Sequence, residues 1–199
     1  MKPRKIYDQV EAQQFGERER LEPGGYICKI LNVEVKEMKF GEALILQFDI
    51  ADGEFKGHYK ERYDNRFNED EGWKGNYWVF VPNDDGTERD SWTASKFKGV
   101  MQDIEDSNEG FHWDWDERKL IGKYIGILFN EKEWEYNGKT GFFTNPKYTT
   151  TVAQIREGDF KIPATEYLDK GYEGKAEVSD KGDGFMNIPD ELEEELPFI

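Results

Sequence analysis

The dipeptide Asn137-Gly138 lies between two runs of alternating residues, 123–136 and 141–152. Asn-Gly in this position is the strongest short-range signal of a β-hairpin, because both residues readily take the positive φ angles of a two-residue turn. We therefore expect two antiparallel strands that are joined at residues 137 and 138.

Three further strands are expected nearer the N-terminus. In residues 26–35 a period of two places apolar side chains on one face, and a second strand over 43–50 follows the turn at Phe40-Gly41. Residues 58–67 also alternate, with charged side chains mainly on one side and aromatic ones on the other. This alternation predicts the third strand.

The hydrophobic period changes between the third strand and the hairpin. Ser91 is suited to cap a helix in which apolar residues recur at spacings of three and four, and residues 108–110 are suited to end it. Three strands, a helix and a hairpin are the element order of an OB-fold, a Greek-key barrel that binds oligonucleotides across one face and its loops. We therefore predict a mainly β, five-stranded OB-fold barrel with one helix between strands three and four.

The chain is expected to contain one domain with extensions at both ends. Residues 1–22 are predicted to form an exposed, partly helical arm, and residues 23–152 the OB-fold. Residues 153–181 mix apolar and charged side chains, which predicts an extension that packs back on the barrel. Residues 182–199 carry six carboxylates and no Lys or Arg, which predicts disorder, because such a segment buries too little apolar surface to offset chain entropy.

The composition is polar yet rich in rings, with 36% hydrophobic and 15% aromatic residues. Some of the aromatic side chains are therefore expected to have a role outside the hydrophobic core. A formal charge of −16 argues against coating duplex DNA through bulk attraction. About six of these negative charges lie in residues 182–199, so a local basic groove on the body remains compatible with the total.

The single cysteine, Cys28, excludes an internal disulfide and a zinc site of the CxxC type, and it favours a reducing cytoplasm. The N-terminus begins with basic residues but leads into acidic and amide side chains, so we expect no signal peptide. No apolar run is long enough to suggest a membrane span.

The first strand of the hairpin separates charge by face. Its even positions hold Lys132, Trp134 and Tyr136, whereas its odd positions hold glutamates. Together with Lys139, Phe143 and Lys147, the even face combines cations that can follow a phosphate backbone with rings that can stack on bases. These residues are predicted to bind single-stranded DNA. The alternative is that the rings belong to the core or to cross-strand pairs, and one of Phe142 and Phe143 is expected to point inward.

The segment expected to form the third strand carries a second set of cations and rings. In an OB-fold, strands two and three form the face that contacts nucleic acid. The candidate binding residues here are Lys56, Tyr59, Lys60, Arg62, Tyr63 and Arg66. The alternative is that this charged alternation is an ordinary solvated strand face.

Catalytic and metal sites are not indicated. His112, Asp114 and Asp116 could converge on one ion, but no second histidine lies nearby in sequence, so a solvated loop with two packed tryptophans is favoured. The sequence has no Gly-rich phosphate loop and no nucleophile elbow. We therefore expect a protein that is not an enzyme and that needs no cofactor or metal.

The acidic tail ends in an apolar tip that a solvated segment does not need. This combination suits a partner whose pocket receives the tip while its basic rim meets the carboxylates. The alternative is an ordinary charged C-terminus. The candidate partner-binding residues are Asp190, Glu191, Glu193, Glu194, Glu195, Leu196, Pro197 and Phe198.

The tail resembles the acidic tip of bacterial and phage single-stranded DNA-binding proteins, in which acidic residues are followed by Pro-Phe, here Pro197-Phe198. One departure is Ile199 after the phenylalanine. The body is similar, more loosely, to such proteins of phages and integrative elements of Gram-positive bacteria through residues 122–126, the Asn-Gly hairpin and residues 156–160.

This resemblance implies a protein that protects single strands during replication and recombination in the host cytoplasm. It also implies that the tail recruits replication or recombination proteins and competes with DNA for the groove.

Two other functions fit parts of the sequence. Exposed Trp and Tyr also stack on sugar rings, so a carbohydrate-binding β-domain is one alternative. An interaction hub such as a recombination mediator is another, since the same fold could serve it. Salt separates DNA from neutral sugar, because only phosphate binding weakens steeply through counterion release.

Overall fold

The computed structural model describes residues 20–39 and 41–168. Within these ranges the chain forms five β-strands, three α-helices and a short 3₁₀ turn at Glu117–Leu120. The elements in chain order are β1 (Gly24–Met38), β2 (Gly41–Ile50), α1 (His58–Asp64), β3 (Asn76–Phe80), α2 (Glu88–Ser107), β4 (Tyr124–Tyr136), β5 (Lys139–Thr150) and α3 (Val152–Glu157). The prediction of a mainly β protein is confirmed.

The strands form one antiparallel sheet in the order β3-β2-β1-β4-β5. The long strand β1 pairs with β2 over most of its length and with β4 through Gly24–Lys29. β3 and β5 are the two edges of the open sheet. Helix α2 connects β3 to β4 and packs against β3, β4 and β5, so it covers the inner face between the two edges.

The core lies on one face of the sheet because alternate residues of each strand point to the same side. β2 contributes Leu44, Leu46 and Phe48, and β4 contributes alternate apolar residues up to Phe129. α2 adds a stripe at helical spacing that includes Ile104, which is fully buried. The period-two and period-3.6 patterns of the sequence therefore converge on a single core.

The prediction of a strand over residues 58–67 was wrong, because this segment forms helix α1. The Asp49 carboxylate at the end of β2 accepts hydrogen bonds from the backbone N–H groups of Tyr59 (2.9 Å) and Lys60 (3.2 Å), so it satisfies the first turn of the helix. The third strand is Asn76–Phe80 and pairs with β2. The Asp49 contact joins two separate elements and has no counterpart in the local alternation pattern.

The other predicted elements are close to the observed ones. Helix α2 begins one turn earlier than expected, because Thr87 rather than Ser91 is the N-cap and its hydroxyl accepts from the N–H of Asp90 (3.1 Å). The hairpin turn is at Asn137-Gly138 as predicted, and both residues have positive φ angles, 51° and 71°.

The chain after the hairpin packs back on the sheet. A Cβ atom at Gly25 or Gly126 would lie 2.6–2.7 Å from the Ile155 side chain of α3, so these glycines allow the extension to approach closely. Farther along the chain, the Glu166 N–H donates to the Glu131 carbonyl, and the Glu133 N–H donates to the Glu166 carbonyl, both at 2.8 Å. These bonds lie on the β1 side of β4, beyond the point where pairing with β1 stops.

Residues 1–19 of the predicted N-terminal arm, residues 169–181 of the predicted extension and the whole predicted acidic tail, residues 182–199, lie outside the described residues. In the part of the chain that the structure describes, no helix is both long enough and apolar enough to cross a membrane.

Candidate nucleic-acid interface

The β4–β5 hairpin extends beyond the end of β1. Pairing between β1 and β4 stops at Gly24 and Phe129, whereas the pairing of β4 with β5 continues to Tyr136 and Lys139. We call residues 131–143 the arm. Because the arm stands past the core, its side chains are available for a function other than packing.

The pairing register gathers the predicted hairpin residues on one face of the arm. Lys132 lies opposite Phe143, Trp134 opposite Gly141, and Tyr136 opposite Lys139. Directly opposed residues of antiparallel strands point to the same side. This face, which we call the basic arm face, is opposite to the core side of β4.

The aromatic residues of this face are partly exposed. Trp134 retains 38% of its surface and Tyr136 retains 71%. The Trp134 indole lies over Gly141, where a Cβ atom would come within 2.9 Å of three indole atoms. Because Gly141 has no side chain, the indole packs directly on the strand and is held in one position. A ring that is already held loses less conformational entropy when it stacks against a base.

The acidic face of the arm is bonded to other parts of the protein. Glu131 pairs with Arg20 at 2.9 Å, and the Glu133 carboxylate accepts from the N–H of Leu168 at 3.1 Å. Phe142 lies opposite Glu133 and packs edge-on against Tyr167, with ring centroids 5.9 Å apart. Phe143 is therefore the ring on the basic side, and the carboxylates are held away from it.

Lys147 is placed differently from the other hairpin cations. The register shifts between Leu128 and Phe129, which leaves Lys147 as the extra residue of a β-bulge. Its side chain is only 15% exposed and forms an ion pair with Glu166. Its charge is already compensated inside the fold, so it is not part of the basic arm face.

The residues of the second predicted cluster lie in different environments, because most of the segment forms helix α1 and not a strand. Tyr59 is 6% exposed, packs edge-on against Phe48, and has its phenol pKa raised mainly by burial. A base has no access to this ring, so Tyr59 is removed from the candidate interface. Lys60 pairs with Asp64 on the exposed side, and Lys56 is exposed.

The remaining residues of that cluster, Arg62, Tyr63 and Arg66, lie together beside the chain that leads to β3. They form a separate recess and not a strand face.

The structure also reveals a surface that the sequence analysis missed. On β3, Trp78 and Phe80 point away from the core, opposite Ile45 and Ala43 of β2, and the Lys36 ammonium lies 5.5 Å from the Trp78 ring centroid. The signal was present as alternation in residues 76–80. The longer alternation of residues 58–67 favours that segment as the third strand and so competes with this shorter signal.

The His112–Glu117 loop is held by local bonds. The Glu105 carboxylate accepts from the N–H of Trp113 (2.7 Å) and contacts His112 Nδ1 (2.9 Å). Lys119 and Arg118 pair with Asp114 and Asp116 and hold the pKa of each carboxyl below its usual range.

Trp115 of the same loop stacks on Phe97, with ring centroids 5.5 Å apart. Among residues 20–39 and 41–168, no three His, Cys, Asp or Glu side chains are arranged to hold a metal ion.

A comparison with the profiles of known protein families gives no match, and a comparison with curated proteins likewise gives none.

Proposed function

We propose that this protein is a non-enzymatic, non-sequence-specific single-stranded DNA-binding protein that holds the strand on the basic arm face. The observation that carries the proposal is the register of the arm, which puts Lys132 and Lys139 on the same side as three rings. Cations that follow the backbone and rings that stack on bases are what single-strand binding requires. Stacking tolerates any sequence because every base has a π-face.

The proposed architecture is a five-stranded OB-fold barrel that closes between β3 and β5. The strand order, the pairing of β1 with both β2 and β4, and the position of α2 between β3 and β4 support this topology. A further indication is that α2 packs against both edge strands, β3 and β5. Burial, Asp103 of α2 and Tyr148 of β5 raise the pKa of Tyr77 on β3, which supports the same closure.

In OB-folds the outer face of strands two and three and the loop between strands four and five bind oligonucleotides. The Lys36–Trp78 pair lies on the first of these surfaces and the arm on the second. We therefore extend the proposed path of the strand from the arm toward the outer face of β2 and β3.

The acidity of the chain is compatible with this proposal because charge is segregated on the arm. Glu131 and Glu133 are bonded to Arg20 and to the C-terminal extension, away from the basic side. A duplex hides the faces of its bases, so rings on a strand gain stacking energy only from unpaired DNA. The preference for single strands should therefore come from the rings and the salt dependence from the lysines.

We further propose that the protein protects single strands in phage or mobile-element replication and recombination, in the cytoplasm of a bacterial host. Its acidic tail would recruit replication proteins and compete with DNA. The support for this role is the sequence of the tail, in which acidic residues are followed by Pro197-Phe198.

Fluorescence anisotropy with labelled oligo-dT and a duplex of equal length tests this function at two salt concentrations. We expect much tighter binding to oligo-dT, with a log–log salt slope of about −0.7 for each phosphate contact. Equal binding to the duplex, or no binding at low salt, would refute the proposal. Salt-independent binding of a neutral oligosaccharide would instead favour the carbohydrate-binding alternative.

A further inference from the structure

A recess separate from the arm lies between the end of α1 and the chain that leads to β3. Tyr59 forms its floor and belongs to the core. The residues around it are Arg62, Tyr63, Arg66, Glu71, Gly72 and Lys74. Three of these lining side chains are cationic and one is anionic, on a protein whose total charge is strongly negative.

The single carboxylate of the recess lies between two cations without a hydrogen bond to either. Glu71 Oε1 is 3.6 Å from Arg62 Nη2 and 3.7 Å from Lys74 Nζ. Both distances exceed the usual range for a charged hydrogen bond. A phosphate group has more acceptor oxygens than a carboxylate, so a phosphate bound here could accept a hydrogen bond from each of the two cations.

The rings beside the cations form a fixed platform. The Arg66 guanidinium lies 4.0 Å above the Tyr63 ring centroid and donates to the Tyr63 carbonyl at 2.7 Å. Tyr63 contacts Trp73 at 5.7 Å between ring centroids, and the Trp73 indole N–H donates to the Phe48 and Gly75 carbonyls. The platform is thus anchored to β2.

Phe67 follows Arg66 directly and is 95% exposed. A large apolar ring in water costs free energy and contributes nothing to packing here. An exposed ring that directly follows one arginine of the recess offers a flat face for a base, and the recess cations offer positive charge for its phosphate.

The recess and the arm lie at the same end of the sheet. Cys28, near the start of β1, pairs with Ile50 at the end of β2, from which the chain continues to α1. The start of β1 also pairs with Phe129, two residues before the arm begins. Tyr26 bridges the two connections, because its ring contacts both Phe55 (5.7 Å) and Phe129 (5.4 Å).

We propose that the α1 recess is a second contact for the same DNA strand and holds one nucleotide unit. The phosphate takes the place of the Glu71 carboxylate between Arg62 and Lys74, and the base stacks on Phe67. This inference rests on the proposed function, and it identifies the ligand as a strand long enough to reach from the arm to the recess. An acidic peptide would satisfy the cations but leave Phe67 without a partner.

Oligo-dT of two lengths tests the inference, one of about 4 and one of about 16 nucleotides, the span that single OB-folds cover. Phe67→Ala should weaken binding of the longer oligonucleotide about tenfold and leave the shorter one unchanged. Arg62→Ala with Lys74→Ala removes the contact to one phosphate and should lower the salt slope for the longer one by about 0.7. Glu71→Gln should strengthen binding about threefold, because the internal competitor loses its charge.

The matched control is Arg89→Ala with Lys98→Ala, which removes two exposed cations from α2 and should change the slope less. Urea unfolding of each variant separates binding from stability, and the exposure of Phe67 predicts a normal midpoint for Phe67→Ala.

If the recess variants bind both oligonucleotides as the unaltered protein does, the second contact is refuted while the arm proposal stands. If the unaltered protein binds no single-stranded DNA, both proposals fail. If the variants bind DNA normally but no longer bind a synthetic peptide of residues 183–199, the recess binds an acidic segment and the nucleotide proposal is overturned.

Discussion

Residues 58–66 and the arm carry similar sequence patterns but fold differently. Both alternate charged side chains with rings, yet the first segment contains helix α1 and the second is a two-stranded hairpin. In the arm, the Asn137-Gly138 turn joins β4 directly to β5, so each strand has a partner that is adjacent in sequence. The α1 segment is determined by Asp49, whose carboxylate bonds to its first N–H groups. Where neither face is apolar, alternation alone does not decide between strand and helix.

The difference also separates the roles of the rings. In α1, Tyr59 enters the core and Tyr63 remains at the surface, one turn later on the same helix. On the arm, Trp134 and Tyr136 are both partly exposed. Substitution of these rings should therefore affect stability in one region and binding in the other.

The largest expected effect is on stability, for Tyr59→Ala. The ring is buried against Phe48, so its removal leaves a cavity and should cost about 3–5 kcal/mol in the free energy of unfolding. Urea denaturation measures this loss. Tyr63→Ala is the control on the same helix and should cost much less. A stable Tyr59→Ala variant with weakened DNA binding would reverse the roles that we give to the two regions.

Trp134→Ala should weaken single-stranded DNA binding by about 1–3 kcal/mol, because one stacking platform is lost. The melting temperature should change little, since the ring lies on the arm and outside the core. Phe142→Ala on the opposite face is the matched control and should bind DNA normally. A large stability loss for Trp134→Ala would mean that the indole is a packing residue.

The cations of the arm should control the salt dependence. Lys132→Ala with Lys139→Ala removes two proposed phosphate contacts, so the log–log salt slope should fall by about 1.4. Anisotropy titrations at several salt concentrations measure the slope. The Arg89→Ala and Lys98→Ala control removes equal charge from α2. An equal decrease in both double variants would indicate bulk attraction and no defined groove.

The smallest effect concerns pH and the α1 region. Burial and the nearby Arg62 lower the pKa of His58 below its ordinary value of 6.5. The unfolded chain therefore takes up this proton first, so stability is complete above pH 6.5 and falls as the pH decreases through the folded-state pKa. Urea midpoints across this interval should decrease less in His58→Gln. An identical pH dependence in both proteins would contradict a role for His58.

Apolar alternation and helical spacing were sufficient to predict much of the body from the sequence. The core strands β1 and β2, the Asn-Gly hairpin and the stripe of α2 all bury residues whose period is local and clear. The segregation of the arm into a basic and an acidic face follows directly from period two.

The features that the sequence did not predict depend on contacts between distant residues. Asp49 bonds to the first turn of α1, and the third strand, β3, places the half-buried Trp78 next to Lys36 on the outer face of the sheet. Glu166 pairs with the edge of β4 through its backbone, and its side chain forms an ion pair with Lys147. The sequence had suggested Lys147 as a DNA contact. Neither interaction leaves a periodic pattern, because each joins residues from separate elements.

Ultraviolet cross-linking of the full-length protein to oligo-dT, followed by mass spectrometry of the linked peptides, tests the basic arm face most directly. Short-range cross-links form at rings that lie against bases. The account predicts cross-links at Trp134, Tyr136 and Phe143, which the register places on the side of Lys132. Cross-links confined to Phe142 and Tyr167 on the acidic side, or none on the arm, would contradict it.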